Sequence, residues 1–239
     1  VTLEQVWKKM SFLERFFEDP YYQREEPPRP EDLNDPDLII SPDTRRERRL
    51  PPGQTRTRKW PVLDAHGTPR VEPSSWRLEV NGLVERPLQW TLAEFMSLPS
   101  VRVYADFHCV TRWSRLGNIW TGVATREIAR RVGIKPEARF ALVEGYDHGW
   151  TTNLPLDYFL AEDSLFAWAH DGRPIPPEHG GPVRLIVPQL YAWKSAKWVK
   201  RVTFLEEDRP GFWEEGGYHM RGNPWVGPDG ERFRWQDGD

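Results

Sequence analysis

Apolar positions begin in a helical rhythm. Leu3, Val6, Trp7, Met10, Leu13, Phe16 and Phe17 recur at three- and four-residue spacing, with Thr2 and Gln5 set as a capping box and Pro20 as a stop. The spacing predicts an amphipathic helix over residues 2–19 that docks on the main body, because Glu and Lys mix on its polar side where a membrane helix would carry mainly Lys and Arg. From residue 20 to 59 the rhythm gives way to "QREEPPRPED" and "RRERRLPPGQTRTRK", Pro-rich and charged, which predicts an extended surface arm. Residues 1–59 are therefore expected to be helix plus arm, and 60–239 the globular part with a tail after Glu206 that wraps its surface.

Within that globular part the period switches to two. "WRLEVNGLV" alternates and turns at Asn81-Gly82, and Thr91 with Glu94 caps a short helix through "LAEFMSL". Residues 101–109 alternate Val101, Val103, Ala105, Phe107 and Cys109 on one face against Arg102, Tyr104, Asp106 and His108 on the other, so Cys109 ends a strand. A helix is predicted around "ATREIARRV" with Gly133 as its stop. Strands are predicted at 139–145, 164–169, 183–188 and 199–204, with Asp171-Gly172 as a hairpin turn. The pattern predicts an α+β fold of mixed β-sheets with short helices, without internal repeats.

Composition supports a packed protein. The 239 residues are 38% hydrophobic, with 13 Trp, 11 Phe and 7 Tyr, so large rings dominate the apolar content and suit pocket walls as well as cores. Twenty-three Pro and 18 Gly favour long irregular connections over a helical bundle. A net charge of −3 gives no general attraction to nucleic acid or anionic membranes, and no apolar run reaches the roughly 20 residues of a bilayer span. The single cysteine cannot form an internal disulfide, which suits the reducing cytoplasm and leaves a periplasmic location open where a leader has been removed.

That cysteine sits in "DFHCVTRWS". By strand parity alone Cys109 is a small buried hydrophobe; one Cys with scattered His offers no zinc spacing, and His108 points to the opposite face, away from a nucleophile pair. The second informative stretch is "HGGPVRLIVPQLYAWKSAKWVKRVTFLE", whose loop carries Lys194, Ser195, Lys197 and Lys200. Arg184, Ser195 and Lys197 could hold an anion between aromatic walls, or could edge a solvated strand.

"FHCVTRWS", "WTGV" and that long block, in this order over roughly residues 55–225, resemble the molybdenum-cofactor domain of the sulfite oxidase family, especially its compact prokaryotic members related to the catalytic subunit of protein-methionine-sulfoxide reductase. The resemblance implies a sulfite oxidase-like α+β domain carrying Mo-molybdopterin, with Cys109 giving its thiolate to molybdenum, a soft ligand for a soft-binding metal. It implies cofactor-binding roles for His108, Arg112, His179, Arg184, Trp193, Ser195 and Lys197. Arg58 in "TRKWPVL", Asp147 and His148 would face substrate or metal, although an arm salt bridge and turn-forming roles remain alternatives for these three.

The chain also departs from the pattern. Trp150 stands in "GYDHGWTTNLPL" where sulfite oxidases carry an aromatic hydroxyl, and "VTRWS" lacks their paired arginines. The expected activity is oxygen-atom transfer with two-electron redox cycling on a sulfur compound or an S- or N-oxide, with a separate electron-transfer protein as partner and no nucleic acid. A cofactor-binding protein without catalysis would also fit Trp150, and a non-enzymatic polyanion or nucleic-acid module would instead use "RRERR", "TRTRK" and "WKSAKWVKR".

Overall fold

In the computed structural model, which describes residues 27–234, strands and helices succeed one another as β1 (Leu38–Ile40), β2 (Thr55–Arg56), β3 (Arg77–Gly82), β4 (Leu88–Thr91), α1 (Leu92–Met96), β5 (Val101–His108) and β6 (Trp113–Ala124). Then follow α2 (Thr125–Val132), β7 (Phe140–Gly145), β8 (Thr151–Pro155), α3 (Leu156–Phe159), β9 (Leu165–His170), β10 (Arg173–Pro174), β11 (Arg184–Ile186), β12 (Val199–Leu205) and α4 (Phe212–Glu215). The helix predicted over 2–19 lies outside the described residues.

Two sheets result. The seven-stranded one runs β1-β5-β6-β9-β10, with β2 also on β6 and β11 also on β9; the five-stranded one runs β4-β3-β12-β7-β8. The fold is α+β, as the pattern predicts. Local signals act where expected: the Thr91 hydroxyl and Glu94 carboxylate cap α1 reciprocally, and Gly133 at φ 67 ends α2 by donating its N–H to the Ala129 carbonyl at 3.0 Å. Asp171 and Gly172, at φ 48 and 78, make the predicted hairpin turn between β9 and β10.

Alternation assigns each strand's faces to different cores. Phe166 and Leu185 join Leu78, Val143, Phe204, Phe95 and Ile128 in one apolar cluster that packs both sheets on α1 and α2. Ala167 and Ile186, one residue on, join Val103, Ala105, Phe107, Trp120 and Trp60 in a second. The apolar face predicted for β5 is thus the buried one.

Beyond Arg102, which is exposed, its polar face is buried as well, which the alternation did not foretell. Tyr104, Asp106 and His108 are covered because β5 lies between β1 and β6 and the arm folds over it. Arg49 chelates Asp106 through two bonds of 2.9 and 2.6 Å, and the Tyr104 hydroxyl bonds the Pro28 carbonyl. The arm is extended, yet it is woven in: β1 pairs in parallel with β5, and β2 with β6.

Candidate active site

The β5–β6 hairpin places the thiol. Cys109 donates its N–H to the Trp113 carbonyl at 2.8 Å, and its own carbonyl accepts from Arg112 at 3.0 Å, so residues 109–113 form a tight loop in which Arg112 takes φ 71. The Thr111 hydroxyl donates to Sγ at 3.2 Å. Burial pushes the Cys109 thiol up, against the smaller opposing effect of Thr111 and the neighbouring amides; a bound cation would supply the charge that makes a thiolate stable there. Cys109 opens into a cleft of about 990 Å³, its mouth included.

The opposite wall is cationic. After Gly180, Gly181 and the cis peptide to Pro182, β11 starts at Arg184, a guanidinium 3% exposed. Its two terminal nitrogens donate to the carbonyls of His179 at 2.7 Å and Ser195 at 2.9 Å, its Nε has no hydrogen-bond partner, and no carboxylate pairs with it among the described residues. Burial alone lowers the Arg184 pKa to about 9. Lys197 is brought down to about 8 by burial and by Arg184, partly opposed by Asp64 with an oxygen 3.8 Å away. His179 stacks on Trp60 with ring centroids 3.9 Å apart, and burial followed by the charges of Arg184 and Lys197 lowers it to about 3, so it is neutral. Close backbone approach explains Gly180: a Cβ there would meet Lys197 Cβ at 2.9 Å.

The remaining walls come from far along the chain. Asp147, buried, lies 3.1 Å from His66 Nδ1. From the tail, Trp213 and Tyr218 face the cleft beside Trp193. A fully buried pair holds this tail: Lys194 Nζ donates to Glu214 Oε1 at 2.6 Å and to both oxygens of Asn153, while Trp193 Nε1 donates to the same Glu214 oxygen at 2.9 Å.

The structure therefore gathers Cys109, Asp147, His179, Arg184, Trp193, Ser195 and Lys197 around one cleft. It sets four expected residues apart. His108, adjacent to Cys109 on a strand, points the other way and lies buried with Nδ1 2.8 Å from Ser114 Oγ. Arg112 is carried outward by its turn conformation, largely exposed, toward Asp229 at 3.7 Å. Arg58 is exposed in the loop after β2, and His148 is exposed on its turn at φ 46, edge-on to His66. Lys194 faces Glu214 instead of an anion. Trp60, His66, Trp213 and Tyr218 were missed: Trp60 sits inside the quoted "TRKWPVL" but only Arg58 was singled out there, and for the other three the high Trp count was the one available hint.

A family model described as an oxidoreductase molybdopterin binding domain matches residues 65–213. The chain belongs to this family. It is 48% identical over 188 residues to the uncharacterized oxidoreductase YuiH of Bacillus subtilis (strain 168), covering 78% of this chain and 93% of that protein. It is 30% identical over 169 residues to the putative protein-methionine-sulfoxide reductase subunit YedZ1 of Azospira oryzae, covering 70% of this chain and 64% of that one. Rice nitrate reductase [NADH] 1 is 28% identical over 190 residues, 66% of this chain but 20% of the reductase. Among solved structures, the sulfane dehydrogenase SoxCD from Paracoccus pantotrophus shares the fold, with TM-score 0.55 and 24% identity over 59% of this chain and 41% of that one.

The chain is thus a molybdenum-cofactor oxidoreductase with a sulfite oxidase-like fold, and its cofactor is Mo-molybdopterin. The residues fit that group. An unpaired buried guanidinium with a free Nε calls for an anion, which the cofactor's phosphate is; the aromatic walls suit a planar ring system; and the thiol is of the class that binds molybdenum. No helix among the described residues is long and apolar enough to cross a membrane.

Proposed function

We propose that the cleft binds Mo-molybdopterin with the Cys109 sulfur as protein ligand to the metal, with Arg184, Lys197 and Ser195 around the phosphate, and that the enzyme transfers an oxygen atom to or from a sulfur compound or an S- or N-oxide. When bound, the cofactor supplies the two-electron redox chemistry. The protein's own contributions are positional and electrostatic. Arg184, fixed by two carbonyls, aims a charge that needs no reorganisation, and Lys197 adds a second. His179 stays neutral and serves as a stacked wall on Trp60. Thr111 orients the sulfur, and Asp147, in contact with His66 behind it, puts a carboxyl group on the cleft wall. Electrons are exchanged with a separate protein, and a reducing compartment suits a chain whose one thiol serves the metal.

The observation that carries this reading is the pairing, in one cleft, of the only thiol with a buried guanidinium that lacks a carboxylate partner among the described residues. The polyanion-binding alternative draws little support, because its basic residues are largely committed internally: Arg46 to Asp43 and Trp225, Arg49 to Asp106, Lys194 to Glu214, and Lys200 and Arg201 to Glu144.

Elemental analysis of protein made in a host that synthesises the cofactor tests the proposal. Near-stoichiometric molybdenum is expected in the wild type, and Cys109→Ser should keep the pterin while changing the metal's absorption spectrum. Metal-free protein from a competent host, or an unchanged spectrum in the variant, would count against it.

A further inference from the structure

The thiol has a cation behind it that its neighbours in sequence do not supply. Arg112, three residues on, turns outward toward Asp229. Arg232 comes instead from the tail, and a terminal nitrogen of its guanidinium donates to the carbonyl of Val110, the residue after Cys109. Its backbone is tied on both sides: the N–H donates to the Gly230 carbonyl at 3.0 Å, and the carbonyl accepts from the His219 N–H at 3.1 Å. The guanidinium carbon lies 5.6 Å from the centre of the Phe233 ring, which in turn packs on Tyr218.

This guanidinium is not spent on a structural pair. Its Nε is buried without a hydrogen-bond partner, and no carboxylate pairs with it among the described residues. A buried donor left unmade is destabilising, so its retention calls for a reason. The surroundings show where its charge is felt. Burial raises the Cys109 thiol, takes Tyr191 to about 12 and lifts Tyr218, and in all three Arg232 works against the rise. Arg232 lies beyond residue 213, where the family match stops, so the tail supplies this charge to the matched domain.

We infer that Arg232 is a positioning residue for the metal's sulfur ligand: it fixes the loop after Cys109 through the Val110 carbonyl and sets an unneutralised positive charge behind the sulfur. The inference rests on the proposed role of Cys109 and adds what tunes it. A cation beside a ligating sulfur draws electron density back from the metal and stabilises an added electron, so the metal becomes easier to reduce than Cys109 alone would make it. Thr111, donating to the same sulfur, acts in the same direction.

The test is a redox titration of molybdenum-loaded protein followed by absorption. Arg232→Gln keeps a donor for the Val110 carbonyl and removes the charge, whereas Arg232→Lys keeps the charge. Arg232→Gln should show a lower midpoint potential than the wild type and a sulfur-to-metal absorption band at longer wavelength, because the sulfur then holds its electrons less tightly; Arg232→Lys should stay near the wild type in both. A merely structural role would lower the melting temperature of both variants and leave potential and band in place. Unchanged potential and band in Arg232→Gln, or equal shifts in the two variants, overturn the inference and leave the cofactor reading standing. Where Arg232→Gln does not retain molybdenum, retention by Arg232→Lys at the wild-type potential supports the role of the charge, and loss from both overturns it. Absence of molybdenum from wild-type protein made in a competent host overturns both readings.

Discussion

Arg184 and Lys194 show how one residue type, a buried cation, serves two ends. Lys194 is fully buried but satisfied, with Glu214 and Asn153 taking its hydrogen bonds, and so it fastens the tail against the fold. Removing one member of such a pair strands a buried charge. Lys194→Met is expected to cost about 3–5 kcal/mol in urea unfolding, and adding Glu214→Gln should recover part of that, since a neutral amide can still accept from Trp193 and Thr152. His179 gives a pH signature. It titrates near 3 in the fold against 6.5 ordinarily, so between those values the unfolded chain holds a proton that the folded chain lacks, and stability falls as the pH drops from 6.5 toward 3. Thermal melts of metal-free His179→Gln at several pH values in that window should show a shallower decline than the parent protein.

Among elements, β6 is the one that carries the architecture. Its Trp113 end pairs with β2 and its Ala124 end with β9, while β5 runs alongside from Val101 to His108. The sheet is packed so closely that a Cβ on Gly122 would lie 2.0 Å from the Phe166 carbonyl oxygen on β9. Gly122→Ala should therefore cost about 2–3 kcal/mol or more, read as a lowered denaturation midpoint. Gly67→Ala, at φ +83 with nothing within 4 Å of the added Cβ, should cost only about 1 kcal/mol for backbone strain. The predicted strands near 139–145, 164–169 and 199–204 and both capped helices were legible because caps, turns and alternation are local signals. β1 and β2 were not, since three and two residues form strands only when β5 and β6 offer them an edge.

At the scale of the molecule, the arm and the tail meet over β5, with Trp225 of the tail also edge-on to His108. Arg49 reaches Asp106 across 57 positions of sequence, with Asp106 wholly buried, and Trp225 from the tail donates to Asp43 of the arm at 2.9 Å. Arg49→Met would leave that carboxylate with little beyond the Gly117 N–H, at an expected cost of about 3–5 kcal/mol. Limited trypsin digestion should then cut the "RRERR" run sooner than in the wild type. The same global packing assembles the cleft: Trp60 precedes the sheets, Cys109 ends β5, Arg184 opens β11 and Tyr218 follows α4, so residues separated by up to 158 positions share one wall.

By itself the sequence determined the α+β class, the place of Cys109 at a strand end and, through three ordered blocks, the cofactor family. Those are properties of local periodicity and of contiguous motifs. Only the tertiary structure decided that His108 and Arg112, beside the cysteine in sequence, leave the cleft while Trp213 and Tyr218 join it. Neighbours on a strand point to opposite faces and a residue at φ 71 turns its side chain away, whereas a buried ion pair can bring a distant tail to the thiol's side.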